Sequence, residues 1–227
     1  ILDVVGLSVN APLAPFDALV RSSNVFEAPL QVRSSTASGS LSWPRPRSSN
    51  GSGQPIRPSG NLTVSAGSLL IAAGNRIEMP QNGRLSVVDC ELDVDGNAAE
   101  PVIFEPVAGA EYWDAIRLLG ESGTGPSRIA NAVLDSAGSD PTQGPGTSRA
   151  AIVVQSNAGV GATPSVVDTV IADSNGYGIT FADGTHCAGA CTGNTITGSR
   201  FSAVRLLANF VGRFGPGNEL SGNNTSS

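Results

Sequence analysis

Pairs of apolar residues separated by one residue recur along the chain from residue 61 onward. The pairs are Leu62/Val64, Leu69/Ile71, Ile77/Met79, Leu85/Val87, Leu92/Val94 and Val102/Phe104. Because side chains alternate between the two faces of a strand, each pair predicts one short strand with both apolar side chains on the same face. The first members of successive pairs are seven to ten residues apart, which is too close for hairpins of ordinary strands and turns.

Every third strand in this series repeats at a nearly constant interval of about two dozen residues. The interval separates Leu62 from Leu85, Leu69 from Leu92, and Ile77 from Val102. A coil of three short strands, each stacked on its equivalent in the next circuit, has a period of this size. We therefore predict an all-β right-handed parallel β-helix with three short strands per rung, where a rung is one circuit of the chain. The handedness follows the general preference of parallel crossovers.

A looser repeat occupies the second half of the chain. The segment beginning Asn131-Ala-Val resembles the segment beginning Asp168-Thr-Val, and a third copy begins at Asn194. Residues 139–148 are rich in Gly, Pro, Ser and Thr, and they are interpreted as a surface loop that lengthens the first interval. We expect Asn and Asp at equivalent corners to adopt left-handed backbone and to hydrogen bond between rungs.

The two ends of the chain also resemble each other, since Phe16-Asp-Ala-Leu-Val is similar to Phe201-Ser-Ala-Val-Arg. Residues 1–33 are interpreted as the last rungs of a preceding solenoid unit or as an N-terminal cap, and residues 61–227 as a β-helix unit. Between them, Ser, Gly and Pro fill 17 of the 27 positions of residues 34–60. Trp43 and Ile56 favour an ordered crossing loop there over a flexible linker.

Several motifs together resemble a known family. They include Trp43-Pro44, Asn61-Leu-Thr-Val-Ser-Ala-Gly67, Pro101-Val-Ile-Phe104 and Tyr112-Trp113-Asp-Ala-Ile116. The chain resembles bacterial cell-surface right-handed parallel β-helix repeat proteins over roughly residues 16–227. The resemblance implies a secreted or surface-attached protein, and most members of the family lack an assigned activity. Val88-Asp89-Cys90 departs from the pattern because it stands where the family has a glycine corner.

Composition limits the classes of partner. The chain has 28 Gly and 15 Pro, 40% hydrophobic and 14% charged residues, so it has enough apolar residues for a core and little capacity for long helices. No stretch approaches the roughly 20 consecutive apolar residues that a membrane helix needs. All 13 basic residues are Arg and the net charge is -6, which argues against nucleic-acid binding.

The three cysteines predict two different environments. Cys187 and Cys191 lie in a Gly-rich polar stretch, where we expect a disulfide formed in an oxidising compartment. Free thiols or a zinc site with the adjacent His186 are the alternatives, although His186 is the only histidine and a fourth ligand is hard to find. Cys90 lies in an alternating strand and is expected to be a buried, inert thiol.

The sharpest polar feature is an acidic strand in which Glu91, Asp93 and Asp95 alternate with Leu92 and Val94. Alternation predicts that the three acids point outward. They could bind calcium or supply the acid and base of glycosidic bond cleavage. We favour a solvated outer face, because outward acids prevent sheets from stacking on one another.

Several arginines and aromatic residues have the chemistry that carbohydrate binding or cleavage would need. The arginine candidates for a lyase base are Arg117, Arg128, Arg149 and Arg205, and nothing in the sequence brings one beside the acids. The candidates for stacking on sugars are Trp43, Tyr112, Trp113 and Tyr177, of which Trp113 is more typical of core packing.

The expected function is therefore a non-catalytic extracellular solenoid that serves as a stalk, an adhesin or a surface-layer element, with no cofactor. The expected partners are cell-surface carbohydrate or other copies of the chain stacked end to end. A carbohydrate-active enzyme that uses the acidic strand, either a polysaccharide lyase or a glycoside hydrolase, is the first alternative, and calcium is the candidate ion. A filament subunit assembled through its ends is the second, because solenoid ends expose unpaired strands.

Overall fold

The computed structural model describes residues 25–33, 36–51, 53–121, 125–138, 149–187 and 190–224. Over these residues the chain is an all-β solenoid of about six turns built from parallel strands, which confirms the predicted parallel β-helix. Within these ranges there is no helix with the length and apolarity that crossing a membrane would require. The Phe16 segment and the loop expected at residues 139–148 lie outside the described residues.

Each rung passes through three strands, which build three faces named A, B and C, with strands numbered in chain order. Face A contains the first halves of β2 (Thr36–Trp43) and β4 (Leu62–Ala72), then β6 (Leu85–Val88), β9 (Ile116–Leu119), β12 (Ala150–Asn157), β16 (Tyr177–Phe181) and β19 (Val204–Arg205). Face B contains the second halves of β2 and β4, then β7 (Glu91–Asp95), β10 (Arg128–Ala130), β14 (Ser165–Val167) and β17 (Cys191–Thr192). Face C contains β1 (Leu30–Val32), β3 (Ile56–Pro58), β5 (Arg76–Met79), β8 (Val102–Pro106), β11 (Ala132–Asp135), β15 (Val170–Ala172) and β18 (Thr195–Thr197).

Two further elements lie outside the three faces. The short strand β13 (Val160–Gly161) pairs antiparallel with the end of β12. A 3-10 helix, η1 (Ala208–Arg213), follows β19 and contributes no buried residue.

The interior is made of apolar side chains stacked in columns. The longest column runs through all of face C and consists of Leu30, Ile56, Ile77, Phe104, Leu134, Ile171 and Ile196, each paired in register with the next. Every member is buried. Burial of side chains of this size contributes about 1.5–3 kcal/mol each, so the columns supply the main stabilisation of the fold. We name this set the face C column.

The register confirms most of the predicted stacking and corrects one pair. Leu62 lies on Leu85 and Leu69 lies on Leu92, as the repeat interval predicted. Ile77 lies on Phe104 rather than on Val102, so its true partner is two residues further along the chain. The extra length has a local cause, because six residues connect β7 to β8 where three connect β4 to β5.

The stretch predicted as a crossing loop, residues 34–60, contains the two strands β2 and β3. β2 pairs in register with β4 and β3 pairs with β5, so only residues 44–55 connect the two strands. Trp43 is 3% exposed and stacks on Ile71. The small polar residues of β2 alternate with residues that face the core. The high Ser content of the segment suggested a loop and hid this alternation.

The corners of the solenoid contain residues in the left-handed region, as predicted. Asn131 and Asp168 have φ of 47° and 49°, and the register of β11 on β15 places them close to equivalent positions. The register of β15 on β18 then brings Gly193 to the position of Asp168, one residue before the predicted Asn194. A Cβ at Gly193 would lie 2.1 Å from Asp168 Oδ1, so only glycine fits there.

Candidate functional site

The acidic strand lies on the outer side of face B, with Leu92 and Val94 buried behind it. Arg128 stands opposite Asp93 in the parallel register, and its Nη1 lies 2.9 Å from Asp95 Oδ1 and 3.4 Å from Asp93 Oδ1. The hydrogen bond to Asp95 raises the pKa of the Arg128 guanidinium above its usual value, and the charge of Asp93 adds to this. The structure thus brings an arginine beside the acids, and two of the three carboxylates form cross-rung ion pairs with it.

Among the described residues, no group of three or more His, Cys, Asp or Glu side chains is arranged to hold a metal ion. Calcium binding by Glu91, Asp93 and Asp95 therefore stays a prediction from the sequence. The positive charge between Asp93 and Asp95 comes from Arg128.

The predicted disulfide between Cys187 and Cys191 is present, with the two Cα atoms 6.1 Å apart. The sulfur atoms of a disulfide are not thiolates, so the alternative zinc site does not apply to this oxidised state. The ring of His186 stacks on Phe210 at a centroid distance of 4.6 Å. Cys90 is 1% exposed and donates its thiol proton to Val64 O at 3.3 Å.

The four predicted sugar-stacking residues have different environments. Trp43 and Trp113 are buried. Trp113 stacks on Phe104 with ring centroids 6.0 Å apart, and its indole N–H donates to Asp135 O at 2.7 Å. These contacts confirm Trp113 as a packing residue. Tyr112 and Tyr177 are half-buried, and Tyr177 contacts an arginine on face A.

Arginines gather on the outer side of face A. Residues 117, 153, 180 and 205 occupy successive strands of one row, which places Arg117 and Arg205 on the same line along the solenoid axis. Arg84 immediately precedes β6, and Arg149 immediately precedes β12. We name Arg84, Arg117, Arg149 and Arg205 the arginine face. Three of the four sequence candidates for a lyase arginine belong to this set, and the fourth, Arg128, lies on face B.

Asp114 anchors one end of the arginine face. Its Oδ2 lies 3.2 Å from Arg117 Nη2 and 3.5 Å from Arg84 Nη1. The side chains of Asp114 and Arg117 are 5% and 9% exposed, whereas that of Arg84 is 31% exposed. The backbone fixes the position of Asp114, because its N–H donates to Gly83 O at 2.8 Å and its carbonyl accepts from Gly138 N at 2.6 Å.

The other end of the arginine face is built on two aromatic rings. Arg205 Cζ lies 5.7 Å from the centroid of Tyr177, and Arg149 Cζ lies 5.8 Å from that of Phe201. The two rings are 5.2 Å apart. Thr180 is fully buried between Val153 and Arg205 in the row. Its Oγ1 finds no hydrogen-bond partner within the described part of the chain.

From β8 onward, the long connections of the solenoid border face A. The connections that enter and leave β9, the one that enters β12 and the one that leaves β16 are each at least eight residues long. In the same rungs, one or two residues connect faces B and C. Long connections on both sides of a sheet are a usual way in which a β-solenoid acquires a binding surface, because loops tolerate variation that stacked strands do not.

Sequence reasoning did not find Arg84, Asp114, Thr180 or Phe201. The arginines could have been grouped from the sequence by asking which interior residue each one follows. Arg117 follows Ile116 and Arg205 follows Val204, and these two apolar residues belong to one column of face A. Recognising this required the register of the second half of the chain, where the rung length varies.

A scan against protein-family models found no match to the chain, and the searches of curated proteins and of solved structures found none either. The fold therefore rests on the observed strand pairing, and the resemblance to bacterial cell-surface β-helix repeat proteins stays a prediction.

Proposed function

We propose that the protein is a non-catalytic extracellular solenoid that acts as a structural or adhesive element of a bacterial cell surface. The observation that carries this proposal is the face C column, in which seven apolar side chains stack in register. In a solenoid each rung is stabilised chiefly by its neighbours, so an uninterrupted column favours a stiff rod. A stiff rod would hold its outer surface at a fixed distance from the point at which the protein is attached to the cell.

The polar exterior supports the same role. Ion pairs link strands of successive rungs on faces C and B, between Arg57 and Glu78, between Arg76 and Glu105, and between Arg128 and Asp95. The pairs of Arg76 and Arg128 are largely exposed and contribute about 0–1 kcal/mol each, whereas Glu78 of the Arg57 pair is buried. All three pairs join neighbouring turns. The Cys187–Cys191 disulfide fits an oxidising compartment such as the cell exterior.

Product release from acidic polysaccharides tests the non-catalytic part of the proposal. The full chain is incubated with polygalacturonate and with alginate, and new reducing ends and unsaturated products are measured over a range of pH and with added calcium. We expect no release above a buffer control. Sustained release that disappears in Asp93→Asn would overturn the proposal and establish the enzyme alternative.

The enzyme alternative is favoured by one observation, the position of Arg128 beside Asp93 and Asp95. A lyase needs a basic group beside its acidic cluster, and the structure supplies this juxtaposition. Arg128 also forms ion pairs with these two carboxylates, as a purely structural contact between rungs would. The product-release experiment separates these two roles.

Self-assembly is favoured by a different observation. Leu207, Val211 and Leu220, in the last rung described, are 54%, 60% and 47% exposed. Apolar side chains at one end of a solenoid are suited to stacking on another copy. Light scattering across a concentration series tests this role, and a constant monomer mass at high concentration would contradict it.

A further inference from the structure

We propose that a cavity on the corner between faces B and C binds a sugar residue that carries one carboxylate, such as the acidic end of a glycan. The cavity has a volume of about 620 Å³ and lies where the connection from β2 to β3 meets the corners of the next two rungs. Small-molecule sites occupy about 300–1,000 Å³. The proposal rests on the adhesive role proposed above and names the chemistry of the ligand.

One wall of the cavity is a turn whose backbone is fixed by hydrogen bonds. Arg47 and Gly53 pair in an antiparallel bridge. Gln54 N donates to Pro46 O at 3.0 Å, and Phe26 N donates to Arg47 O at 2.8 Å. Because these bonds hold the backbone at Pro46 and Arg47, the wall exists before any ligand arrives.

Arg45 is held in the lining by two glycines and a carboxylate. A Cβ added at Gly53 would lie 2.7 Å from Arg45 Nε, and one added at Gly74 would lie 3.0 Å from Arg45 Nη1. The same Nη1 donates to Glu100 Oε1 at 2.6 Å. The backbone of Glu100 is fixed as well, because its carbonyl accepts from Gly74 N at 3.0 Å and its N–H donates to Asn97 Oδ1 at 2.9 Å. A guanidinium and a carboxylate therefore stand side by side in a preorganised lining.

Two groups of the lining remain available to a ligand. Glu100 uses Oε1 for Arg45, and its Oε2 accepts no hydrogen bond within the described ranges. Arg47 is exposed, and its guanidinium pairs with no carboxylate in the part of the chain that the structure describes. Because Arg45 balances the charge of Glu100, the charge of Arg47 is left over and attracts an anion.

The ligand that matches these groups accepts hydrogen bonds at one point and donates them at another. A carboxylate binds the Arg47 guanidinium through two parallel charge-assisted hydrogen bonds, and sugar hydroxyls donate to Glu100 Oε2. The rings of Pro44 and Pro46 also line the cavity, and they give the C–H groups of a pyranose ring an apolar surface to pack against. An acidic sugar combines all three properties.

Other anions match the lining less well. Phosphate at neutral pH is mainly an acceptor, so it has little to donate to Glu100 and is repelled by its charge. The ammonium group of a zwitterion would approach Arg45, whose Nη1 lies 2.6 Å from Glu100 Oε1. A polyanion, whether a nucleic acid or a heavily charged glycan, is repelled by the net charge of -6, whereas a single carboxylate responds chiefly to charges within a Debye length of about 8–10 Å.

Calorimetric titration of the full chain with galacturonate and with glucuronate tests the proposal. Galactose and glucose are the matched neutral sugars, acetate and inorganic phosphate test the anion alone, and glycine tests the zwitterion. We expect at least one uronate to bind about tenfold or more tightly than its neutral sugar and than the small ions, with an affinity that falls as salt rises. Absence of binding by both uronates, equal binding of the neutral sugar, or equal binding of acetate, phosphate or glycine would overturn the proposal.

Two arginine variants locate the binding. Arg47→Gln removes the unbalanced charge and is expected to weaken uronate binding about tenfold, the effect of losing one charge-assisted hydrogen bond. Arg213→Gln removes the same charge from an exposed position of η1 in the last rung. It is the matched control and is expected to change binding less than twofold. If the two variants weaken binding equally, the cavity is not the site.

Gly53→Ala tests the position of Arg45 without removing a charge. The added Cβ must displace the Arg45 side chain, and because that side chain is flexible we expect the unfolding temperature to stay nearly unchanged. Uronate should bind about threefold or more weakly. Gly212→Ala is the control, since a Cβ there meets no atom within 4 Å. Unchanged affinity in Gly53→Ala would contradict the proposed role of Arg45 beside Glu100.

The outcomes for this site and for the proposed function are distinguishable. Uronate binding accompanied by product release from polygalacturonate or alginate would refute the non-catalytic function and leave the ligand class intact. Absence of uronate binding would remove the site and leave the stacked rod unaffected, because the face C column contains none of the residues that line the cavity.

Discussion

Asn218 Oδ1 accepts two hydrogen bonds from Asn194, one from its backbone N–H at 3.0 Å and one from its side-chain Nδ2 at 2.9 Å. Asn194 also donates to Val166 O at 2.9 Å and accepts from Thr169 N at 3.1 Å. Asn194 is fully buried. One carboxamide thus satisfies polar groups of neighbouring rungs at the corner between faces B and C.

Replacing Asn194 should be costly for this reason. Asn194→Ala leaves the groups that it joins without partners, and we expect a loss of about 2–4 kcal/mol in the free energy of unfolding. Asn97→Ala is the control, because exposed Asn97 accepts only local side-chain hydrogen bonds from Ala99 N and Glu100 N and should cost less than about 1 kcal/mol. Urea unfolding measures the loss of stability in both variants. Equal losses would contradict the role of Asn194 in linking neighbouring rungs by hydrogen bonds.

The face C column makes a prediction about two adjacent residues of β15. Ile171 is fully buried between Leu134 and Ile196, so Ile171→Ala should cost about 2–5 kcal/mol through lost burial and the cavity left behind. Val170 is 37% exposed on the opposite side of the same strand. Val170→Ala should change stability by no more than about 0.5 kcal/mol. Denaturant titration measures the two variants, and similar effects would mean that the column does not dominate stability.

The bend between faces A and B in β4 depends on a close backbone approach. A Cβ added at Gly67 would lie 2.2 Å from Gly39 O in the neighbouring rung. Because the obstacle is backbone, Gly67→Ala must displace a strand, and we expect a loss of about 1–3 kcal/mol. Gly212→Ala is the control, since a Cβ there meets no atom within 4 Å. A thermal unfolding midpoint unchanged in Gly67→Ala would argue against this contact.

The disulfide closes a loop with a sequence separation of four residues. For a loop this short, the loss of chain entropy in the unfolded state corresponds to about 2 kcal/mol of stabilisation. Reduction, or the double change Cys187→Ser and Cys191→Ser, should lower the unfolding free energy by about that amount without abolishing folding. Circular dichroism with and without reductant checks this, and complete loss of strand signal on reduction would show a larger role for the disulfide.

Cys90 should respond to pH in a defined direction. Burial raises the pKa of its thiol, and the nearby charge of Asp89 adds to this effect. The thiol of the unfolded chain ionises at about pH 8.5, so the unfolded state loses its proton first as the pH rises. Stability contributed by the buried neutral thiol is therefore present below about pH 8.5 and is lost above it.

The measurement for Cys90 is the difference between the chain and Cys90→Ala in urea unfolding at neutral and at strongly alkaline pH. The chain should lose more stability than the variant over this interval. Iodoacetamide should label Cys90 slowly in the native protein and rapidly in urea. Fast labelling under native conditions would show that the thiol is accessible, contrary to its burial.

Local patterns were sufficient for much of this architecture. Alternation of apolar residues located the strands from Leu62 to Phe104 and the outward direction of Glu91, Asp93 and Asp95. The spacing of Cys187 and Cys191 in a polar loop indicated their disulfide. These predictions succeeded because each depends on neighbours within a few residues of sequence.

Register at uneven corners was harder to predict. Ile77 pairs with Phe104 and not with the predicted Val102, because the corner before β8 has six residues. At the third corner, Gly193 occupies the position equivalent to Asp168, and the side chain of Asp168 leaves no room there for a Cβ. The expected crossing loop became β2 and β3, since a Ser-rich segment can still alternate small polar residues with buried ones. Corner length and cross-rung fit are properties of stacked rungs, and no single rung encodes them.

The sequence by itself determined that the chain coils into stacked parallel strands around a dry apolar interior, because strand alternation and rung period are written in consecutive residues. Tertiary structure alone decided which outer side chains meet. Arg117, Arg149 and Arg205 come from three rungs and gather on face A, while Arg128 pairs with the acids of face B. Their grouping depends on the register in which the rungs stack, and that register depends on the length of every corner between them.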